Sequence, residues 1–490
     1  ILSEYDDLEM SSSGLLINSE NFQAIRLLEN KYANKIKTIY IDPPYNAKSS
    51  EILYKNTFKH SSWISFMDTR LASAIKFLDK ENGILVVAID ENEQENLGKL
   101  IDSYFDDTYS KNCISLIHNP GGIQGSNFSY THEFAYFIHK NKPFQIGFKK
   151  RDDMKPTPLR DWGGEDSKRK TAKNCFYPIL TKNSEIIGFG NICEDDFHPE
   201  SSNIIKGDII EVYPIDNNGI ERKWRCSLDT VKELISELKC EKINDEYVIR
   251  RYKSDYRHKT VWMDKKYNSN IYGSNILNNI LGDKKFSFPK SVFTVKDSID
   301  ATTKGVDGEF IFDFFAGSGT TGHAVTKLNR ESNVIRKFVM VEMGTYFNTV
   351  TKPRIQKVAY SDNWKDGFPQ DSNGISTMFK YHDLESYEDV LNNLSLRKRK
   401  EQESLLKSSD FKDEYMLSYM LDIESRDSLL NIDAFKNPFN YKLNITRNNE
   451  SQETIIDLVE TFNYLIGLHV KTLQTIRGFK VITGITNERN

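Results

Sequence analysis

The chain has 490 residues, more than a single hydrophobic core usually supports, which predicts two to four domains. Its formal net charge of -4 and pI near 6.2 exclude a protein that coats polyanions with its whole surface, so any nucleic-acid contact must use local basic patches. Because the chain shows no apolar run of roughly 20 residues, no signal segment and no Cys-x-x-Cys pair, we expect a cytoplasmic protein with reduced thiols, no metal site and no membrane partner.

The first third of the chain alternates apolar runs with helical stretches, a pattern typical of an α/β domain. Strands are predicted at Ile36–Ile41, Gly83–Ile89, Cys113–Ile117 and Glu133–Ile138. A helix is predicted at Trp63–Leu78. The glycine-rich segment 119–127 joins the last two strands, and its backbone freedom predicts a loop that folds over a ligand.

From about residue 144 to 285 this rhythm is lost, and basic and aromatic residues are interleaved among polar turns. The aromatic residues are Trp162, Trp224, Tyr252, Tyr256 and Trp262. Lysines and arginines cluster at 149–173 and again at 222–259. The segment is therefore predicted to be a separate domain that supplies the contacts to nucleic acid.

The α/β pattern then resumes, and a third region follows it. A strand is predicted at Phe310–Phe314, a helix at Thr320–Leu328, and a strand at Phe338–Val341 that ends in Glu342. After about residue 363 come a charged stretch at 397–401 and apolar residues at helical spacing, which predict a core face more often than a partner surface. These residues are Ile455, Leu458, Val459, Phe462, Leu465 and Ile466.

The segment Asp42-Pro43-Pro44-Tyr45 is suited to methyl transfer to an amino nitrogen. An amino group on adenine or cytosine is a poor nucleophile because its lone pair is delocalised into the ring. Acceptors aimed at its N–H groups localise that pair, and the Asp42 carboxylate and the Pro43 carbonyl supply them. Asp42 can also take up the released proton, the prolines stiffen the turn, and Tyr45 offers a face for an extruded base. Taken alone, the segment is also typical of a surface turn.

A second motif, a glycine-rich turn that opens a helix, is suited to a nucleotide-like cofactor. Its backbone N–H groups at the positive helix end can meet a cofactor carboxylate. Glu342 comes near the roughly 20-residue spacing expected for an acceptor of a ribose diol, although by itself it is more typical of a solvated strand end. The cofactor residues predicted here are Asp313, Phe315, Gly317, Gly319, Thr320, Thr321 and Glu342.

Over most of its length the chain resembles the amino-directed DNA methyltransferases, through Asp42-Pro43-Pro44-Tyr45 and Phe315-x-Gly317-x-Gly319. The catalytic motif comes some 270 residues before the cofactor motif, an order similar to the permuted β class of these enzymes. The chain is most similar to the modification subunits of type III restriction-modification systems. That closer resemblance is carried by Thr38–Asn46, Ser61–Met67, His118–Gly125 and Val341–Phe347.

The resemblance implies a fold, a set of domains and a cofactor. The fold is an α/β, doubly wound, Rossmann-like methyltransferase sheet with circularly permuted motif order, an inserted target-recognition domain and a C-terminal α+β region. The implied domains are a catalytic half at 1–143, the target-recognition domain at 144–285, a cofactor-binding half at 286–362, and a C-terminal dimer or partner interface at 363–490. The implied cofactor is S-adenosylmethionine. Its further contacts would be Glu20 and Asn21 at the adenine, Lys290 at the methionine end, and Asp42.

The implied activity is N6-methylation of a flipped adenine in a short asymmetric site of double-stranded DNA. The implied assembly is a homodimer with a helicase-nuclease restriction partner. Asp42 favours adenine, since the cytosine-N4 members more often carry serine there. The alternatives are a cytosine-N4 methyltransferase, a non-catalytic DNA-specificity subunit, and, disfavoured by the motif order, methylation of RNA or protein glutamine. Because the chain starts at Ile1 rather than Met, we also expect native residues before it.

Overall fold

The computed structural model describes residues 2–46, 60–124, 127–150, 155–332, 334–393, 437–447 and 450–487. The chain divides into two compact units. The first unit combines Ile1–Gly147 with Lys259–Asn490, and the second unit is Phe148–His258. All the predicted catalytic and cofactor residues lie in the first unit.

The first unit is built on a nine-stranded sheet. Its strands are β1 (Gly14–Asn18), β2 (Ile36–Ile41), β3 (Ile84–Ile89), β4 (Tyr109–Ile117), β5 (His132–Lys140), β6 (Val261–Trp262), β7 (Phe310–Asp313), β8 (Lys337–Glu342) and β9 (Phe379–Asp383). Their order across the sheet is β6-β4-β5-β3-β2-β7-β8-β1-β9. Strand β5 runs antiparallel to β3 and β4, and the other described neighbours in this sheet are parallel.

Helices cover both faces of the sheet. Helices α1 (Asn21–Tyr32), α2 (His60–Ala74) and α3 (Gln94–Tyr104) share one core with Ile39 and Ile41 of β2. Helices α4 (Val292–Thr302), α5 (Thr320–Glu331) and α6 (Lys352–Tyr360) share the other core with Tyr40 of the same strand. Successive residues of β2 are therefore buried on opposite faces, so the whole strand is buried, including Lys37 and Thr38. The predicted doubly wound α/β fold is confirmed.

Most of the predicted elements of this unit are present, with shifted ends. The helix predicted at Trp63–Leu78 begins at His60, and its last turn, Ile75–Phe77, is a 3-10 turn. The strands predicted at Cys113–Ile117 and Glu133–Ile138 extend to Tyr109–Ile117 and His132–Lys140, because these two strands pair with each other along polar residues as well as apolar ones. None of the helices among the described residues has the length and apolarity that crossing a bilayer requires.

Shorter elements complete the first unit. The helices are Leu8–Ser11, Ile276–Leu281, Tyr387–Asn392 and α7 (Leu458–Leu465), with π-helical turns at Asn270–Asn275 and Phe347–Thr351. The two-stranded pairs are Ile123–Gln124 with Ser129–Tyr130, Trp364–Lys365 with Phe368–Pro369, Lys442–Arg447 with Glu450–Ile455, and His469–Ile476 with Phe479–Ile485. The predicted loop at 119–127 thus contributes a strand to a short hairpin.

The region after residue 363 lies within the first unit. Its strand β9 pairs with β1 at the edge of the main sheet, and Tyr464 of α7 belongs to the main core. The predicted apolar face of α7 is wrong in detail, because Ile455 lies in a strand and Phe462 is 38% exposed. Tyr464 is buried instead, under the Lys31 ammonium. The charged stretch predicted at 397–401 lies outside the described residues.

The second unit, Phe148–His258, is rich in short strands. A four-stranded sheet contains Ile179–Lys182, Glu185–Phe189, Asn203–Lys206 and Ile209–Val212, and a three-stranded sheet contains Thr157–Pro158, Leu238–Ile243 and Glu246–Arg251. Phe148–Lys150 pairs with Asp255–Arg257, and a helix spans Leu228–Glu233. This unit is shorter than the predicted segment 144–285, since 259–285 lies with the first unit.

The aromatic residues singled out in the central segment have different environments. Trp224 is 2% exposed in the core of the second unit, and Trp262 is 5% exposed in the core of the first unit. Both therefore serve packing rather than contact with a ligand. Trp162, by contrast, is 67% exposed.

Candidate active site

An acidic side chain stands at the carboxyl end of each of six neighbouring parallel strands, either as the last residue of the strand or within two residues after it. In sheet order β3-β2-β7-β8-β1-β9, these residues are Asp90, Asp42, Asp313, Glu342, Glu20 and Asp383. Ligands of doubly wound sheets bind beyond the carboxyl ends of the strands. Strands β2 and β7 are direct neighbours, with Ile39 opposite Phe312, so the two predicted motifs follow adjacent strands.

The Asp42–Tyr45 turn is held by its own side chains and by α2. The Tyr45 hydroxyl donates to Asp42 Oδ1 at 2.5 Å, and the indole N–H of Trp63 donates to the Pro44 carbonyl at 2.6 Å. Pro43 is buried. These bonds, together with the fixed φ of the two prolines, keep the Asp42 carboxylate in place.

Glu93, a residue that the sequence reasoning missed, anchors the far end of this turn. Its side chain is fully buried and accepts hydrogen bonds from the amides of Asn46 and Asn96, at 2.7 and 2.8 Å. Nδ1 of His60, the first residue of α2, lies 2.8 Å from the same carboxylate. Asn46 has a left-handed backbone with φ 59°, which asparagine tolerates better than most residues. In the sequence, Glu93 stands in the run Asp90-Glu91-Asn92-Glu93, which is typical of a solvated loop.

Lys290 lies at the catalytic turn. Its ammonium is 3.4 Å from Asp42 Oδ1 and 4.5 Å from the centre of the Tyr45 ring, and it donates hydrogen bonds to the Tyr45 hydroxyl and to the Glu133 carboxylate. Glu133, at 5% exposure, is a site residue that the sequence reasoning missed, because it marked only the start of a predicted strand. The contact of Lys290 with a cofactor's methionine end stays a prediction.

Burial and charge shift the pKa values of this cluster. Burial raises the pKa of Asp42, with Lys290 opposing the shift and the like charge of Glu133 adding to it. Burial also raises the pKa of Tyr45 well above its usual range, and the Asp42 and Glu133 charges add to that effect. Burial alone would lower the pKa of Lys290, but Asp42 and Glu133 raise it. Near neutral pH the phenol is therefore neutral and the ammonium is charged.

On the neighbouring strand, Asp313 holds the glycine-rich turn. Its carboxylate accepts from the Phe315 backbone N–H at 3.0 Å and from the Thr321 hydroxyl at 2.5 Å. Burial raises the pKa of Asp313 to about 7, and the charges of Asp42 and Glu342 contribute. Thr321 is itself buried, so its side chain fixes the turn from within.

A fully buried arginine of α6 also holds the glycine-rich turn, from the protein interior. The Arg354 guanidinium donates to the Ser318 hydroxyl at 2.8 Å and to the Thr320 hydroxyl at 2.9 Å. Gly319 has φ 82°, and a Cβ there would lie 3.3 Å from the Thr351 side chain, which accounts for glycine. The Thr320 side chain thus faces the protein interior. Phe315 and Gly317 keep more exposure and present the open side of the turn.

Glu342 is tied to the glycine-rich turn by its side chain. Its two carboxylate oxygens accept from the backbone N–H groups of Gly317 and Gly344, each at 2.7 Å. Burial nevertheless raises the pKa of Glu342. The Tyr346 side chain and the Met343 backbone N–H also hydrogen-bond to this carboxylate, so a hydroxyl donor such as a ribose diol would share it with them.

Glu20 and Asn21 reach the same edge through Arg70, another residue that the sequence reasoning missed. Arg70 donates to Glu20 Oε1 at 2.5 Å and to Asn21 Oδ1 at 2.6 Å. Asn21 in turn donates to the Phe314 carbonyl at 3.0 Å, which links the start of α1 to the glycine-rich turn. Glu20 also caps α1 by accepting from the Gln23 N–H at 3.1 Å. A direct role of Glu20 at a cofactor's adenine stays a prediction.

The acids and the open turn fit S-adenosylmethionine in chemistry. The cofactor would bring hydroxyl donors, a cationic sulfonium and an aromatic base, and the edge offers carboxylates, the Tyr45 ring and the exposed side of Phe315. Glu342, Glu20, Phe315 and Gly317 would be the residues that hold it. The hydroxyls of Thr320 and Thr321 are hydrogen-bonded inside the protein. These two residues therefore hold the glycine-rich turn in place rather than contact a cofactor through their hydroxyls.

Many basic side chains of the second unit pair with carboxylates of that unit. The paired residues are Lys168, Arg169, Lys170, Lys173, Arg222, Arg225, Arg250 and Arg251. Arg169 is only 7% exposed and also donates to backbone carbonyls, so it serves the fold. The exposed pairs are weak and can exchange an acid for a phosphate. Contact of this unit with DNA stays a prediction.

Comparisons with known proteins find similarity to DNA methyltransferases. A family model described as DNA methylase matches residues 36–352. The Mod subunit of the type III restriction-modification enzyme EcoPI of Escherichia phage P1 is 26% identical over 441 residues, covering 76% of this chain and 62% of that protein. Type II methyltransferase M.KpnI of Klebsiella pneumoniae is 29% identical over 378 residues, covering 72% of this chain and 85% of its own length. The chain thus spans less than two thirds of the phage subunit.

Solved structures are similar at a lower level. The cytosine-N4-specific PvuII DNA methyltransferase has a TM-score of 0.38 and 13% identity, covering 73% of this chain and 89% of its own. A structure of the M1.HpyAVI–SAM complex has a TM-score of 0.32 and 12% identity, covering 70% of this chain and 98% of its own. The fold assignment therefore rests on the strand order and on the family match. Because that match covers more than half of the chain, the chain belongs to the DNA methylase family.

Proposed function

We propose that this chain is a sequence-specific DNA methyltransferase that transfers a methyl group from S-adenosylmethionine to N6 of an adenine turned out of the duplex. The observation that carries the proposal is the placement of Asp42 and the Phe315–Gly319 turn after adjacent parallel strands. An acceptor for an amino group and a cofactor turn then border one edge of the sheet. The similarity to the phage P1 Mod subunit supports a place in a type III-like restriction-modification system.

The residues of the turn act on the amino group of the base. The Asp42 carboxylate and the Pro43 carbonyl accept hydrogen bonds from its two N–H groups, which favours a more tetrahedral nitrogen with a localised lone pair. S-adenosylmethionine, when bound, supplies an electrophilic methyl group on sulfur. Asp42 then receives the proton that the nitrogen releases, while the N–H electron pair stays on nitrogen.

Adenine is the proposed target, and cytosine-N4 is the alternative. Extrusion of the base costs a few kcal/mol of unstacking, which contacts elsewhere on the DNA must offset. We assign those contacts to the second unit, Phe148–His258, whose arginines and lysines would bind phosphates and base edges. We further propose a cytoplasmic location, a homodimeric state and a helicase-nuclease partner, as the resemblance to type III modification subunits implies.

Nucleoside analysis tests the reaction and the base together. Genomic DNA from a methylation-deficient host that expresses the chain is digested and measured by mass spectrometry. N6-methyladenine above the level of the empty host supports the proposal. N4-methylcytosine without N6-methyladenine would reject the adenine assignment. If neither modified base is detected, methyl transfer to DNA is rejected. Site-resolved sequencing of the same DNA gives the recognition sequence.

A further inference from the structure

The Lys290 ammonium contacts the same groups that a target amino group would need. It lies 3.4 Å from Asp42 Oδ1 and 4.5 Å from the centre of the Tyr45 ring, and it donates to the Tyr45 hydroxyl. A carboxylate oxygen and an aromatic face both favour a positively charged nitrogen. A methyl group arriving from a sulfonium makes the target nitrogen positive before it releases its proton. Lys290 and the target nitrogen therefore compete for the same acceptors.

Glu133 changes the balance of that competition. Glu133 is 5% exposed, and its carboxylate accepts a hydrogen bond from Lys290 and lies 3.4 Å from the Tyr45 hydroxyl. When both carboxylates are ionised, Glu133 gives the cluster with Asp42, Tyr45 and Lys290 one negative charge in excess, which can stabilise a nitrogen that becomes positive.

We propose that Glu133 is a positioning residue that draws the Lys290 ammonium away from Asp42, so that the Asp42 carboxylate is available to the amino group of the target base. The inference rests on the proposed function and adds a pair of residues to it. The Glu133–Lys290 pair keeps the ammonium buried with a partner, since an uncompensated buried charge is costly. Asp42 then keeps an acceptor for the amino N–H.

The charged and titratable groups around the cluster define the expected pH behaviour. Asp42 is faced by Lys290, Glu133, Tyr45, Tyr40 and Asp313. Lys290 is additionally within electrostatic range of Asp90 and His118. Glu133 raises the pKa of Asp42 and Lys290 lowers it. Removing the charge of Glu133 and removing that of Lys290 should therefore shift the acid limb of the pH–rate profile in opposite directions.

Four full-length proteins test the inference: wild type, Glu133→Gln, Lys290→Gln and the double variant. Single-turnover methyl transfer from radiolabelled S-adenosylmethionine to unmethylated genomic DNA is measured against pH, and cofactor binding is measured by calorimetry. We expect Glu133→Gln to slow methyl transfer by about 10- to 100-fold, because Lys290 then pairs with Asp42 alone. The double variant should be faster than Glu133→Gln, since neither charge of the pair remains.

The pH profiles give a second readout that simple loss of structure would not produce. The acid limb should move to lower pH in Glu133→Gln and to higher pH in Lys290→Gln. Glu133→Asp, which keeps the charge, should recover part of the rate if Glu133→Gln folds poorly. Lys285→Gln, an exposed lysine on the same segment, is the control and should leave the pH profile unchanged.

Two results would overturn the inference. One is a double variant that transfers methyl groups more slowly than both single variants, together with acid limbs of Glu133→Gln and Lys290→Gln that do not shift in opposite directions. The other is an affinity for S-adenosylmethionine at least 10-fold weaker in Lys290→Gln, with no rescue, which would assign Lys290 to the cofactor. Either result leaves wild-type methylation of DNA in place. The proposed transfer of a methyl group to DNA fails if the wild type methylates no DNA, and the adenine assignment fails if the wild type makes only N4-methylcytosine.

Discussion

Asp42 and Asp313 end adjacent parallel strands of one sheet, although about 270 residues separate them in the sequence. Both carboxylates lie among buried groups, and the Asp42 charge adds to the burial that raises the pKa of Asp313 to about 7. The acid that supports the glycine-rich turn and the acid proposed to receive the target proton are thus electrostatically linked. The consequences can be measured one residue at a time.

Asp313→Asn should remove a pH dependence of stability. The pKa of Asp313 rises from 3.8 to about 7 on folding, so its protonation stabilises the fold fully below pH 3.8 and this stabilisation is lost as pH rises through 7. Up to about 4 kcal/mol of unfolding free energy is involved. Urea unfolding from pH 4 to pH 8.5 should show a smaller decline in Asp313→Asn than in the wild type. Asp107→Asn, at an exposed position, is the control and should decline as much as the wild type. An equal decline in Asp313→Asn and the wild type would contradict the assignment.

Glu93→Ala should slow methyl transfer without weakening cofactor binding. Glu93 holds Asn46, and a displaced catalytic turn can cost about 100-fold in rate. Leaving the Asn46 and Asn96 amides without their acceptor should also cost about 1–3 kcal/mol of stability. Single-turnover rates and calorimetry with S-adenosylmethionine measure the two effects. Glu95→Ala, an exposed residue of α3, is the control, and an equal loss of rate there would refute the anchoring role.

The Phe288→Gly variant should be more stable to unfolding than the Phe288→Ala variant. It has φ 57° and is 83% exposed, two residues before Lys290, so a bulky side chain sits in a left-handed conformation with little burial in return. Glycine adopts this region freely, so Phe288→Gly should exceed Phe288→Ala by about 1 kcal/mol in unfolding free energy. At the exposed residue Arg26 inside α1 the order should reverse, so that Arg26→Ala is more stable than Arg26→Gly. The same order at both positions would rule out the strained conformation.

Tyr464→Ala should destabilise the first unit far more than Phe462→Ala. Tyr464 is 2% exposed and packs under the Lys31 ammonium at 4.7 Å, whereas Phe462 is 38% exposed. We expect losses of about 3 kcal/mol and less than about 1 kcal/mol, respectively. Chemical unfolding measures both. If Phe462 instead lies in a homodimer interface, Phe462→Asp should halve the mass measured by light scattering, and an unchanged mass would place any interface elsewhere.

The sequence allowed prediction of those parts of the fold and site that have a local signature. Strand β3 is a continuous apolar run and β2 is mostly apolar because both faces of the sheet are covered, and the glycine-rich turn lies between the strand and the helix predicted around it. The adjacency of β2 and β7 was predictable only through the motif order, because strand pairing over such a distance leaves no periodicity in the sequence.

The residues that support the site could not be predicted, since each acts across a long stretch of chain. Glu133 contacts Lys290 across 157 positions, and Arg70 contacts Glu20 across 50 positions. Glu93 lies in a run of acids and Arg354 in an ordinary helical pattern, so composition around them suggests solvent. The face of α7 was misjudged because Tyr464 packs into the main core and under Lys31, while Phe462, at the predicted apolar spacing, stays 38% exposed.

The most direct test of the central claim compares the wild type with Asp42→Asn. Asparagine keeps the size of the side chain but removes the charge and the proton acceptor. Methyl transfer to DNA in a single turnover and S-adenosylmethionine affinity are measured on the same preparations. The account predicts that Asp42→Asn loses at least about 100-fold in transfer rate and keeps cofactor affinity within a few fold. A variant that methylates DNA at the wild-type rate would contradict it.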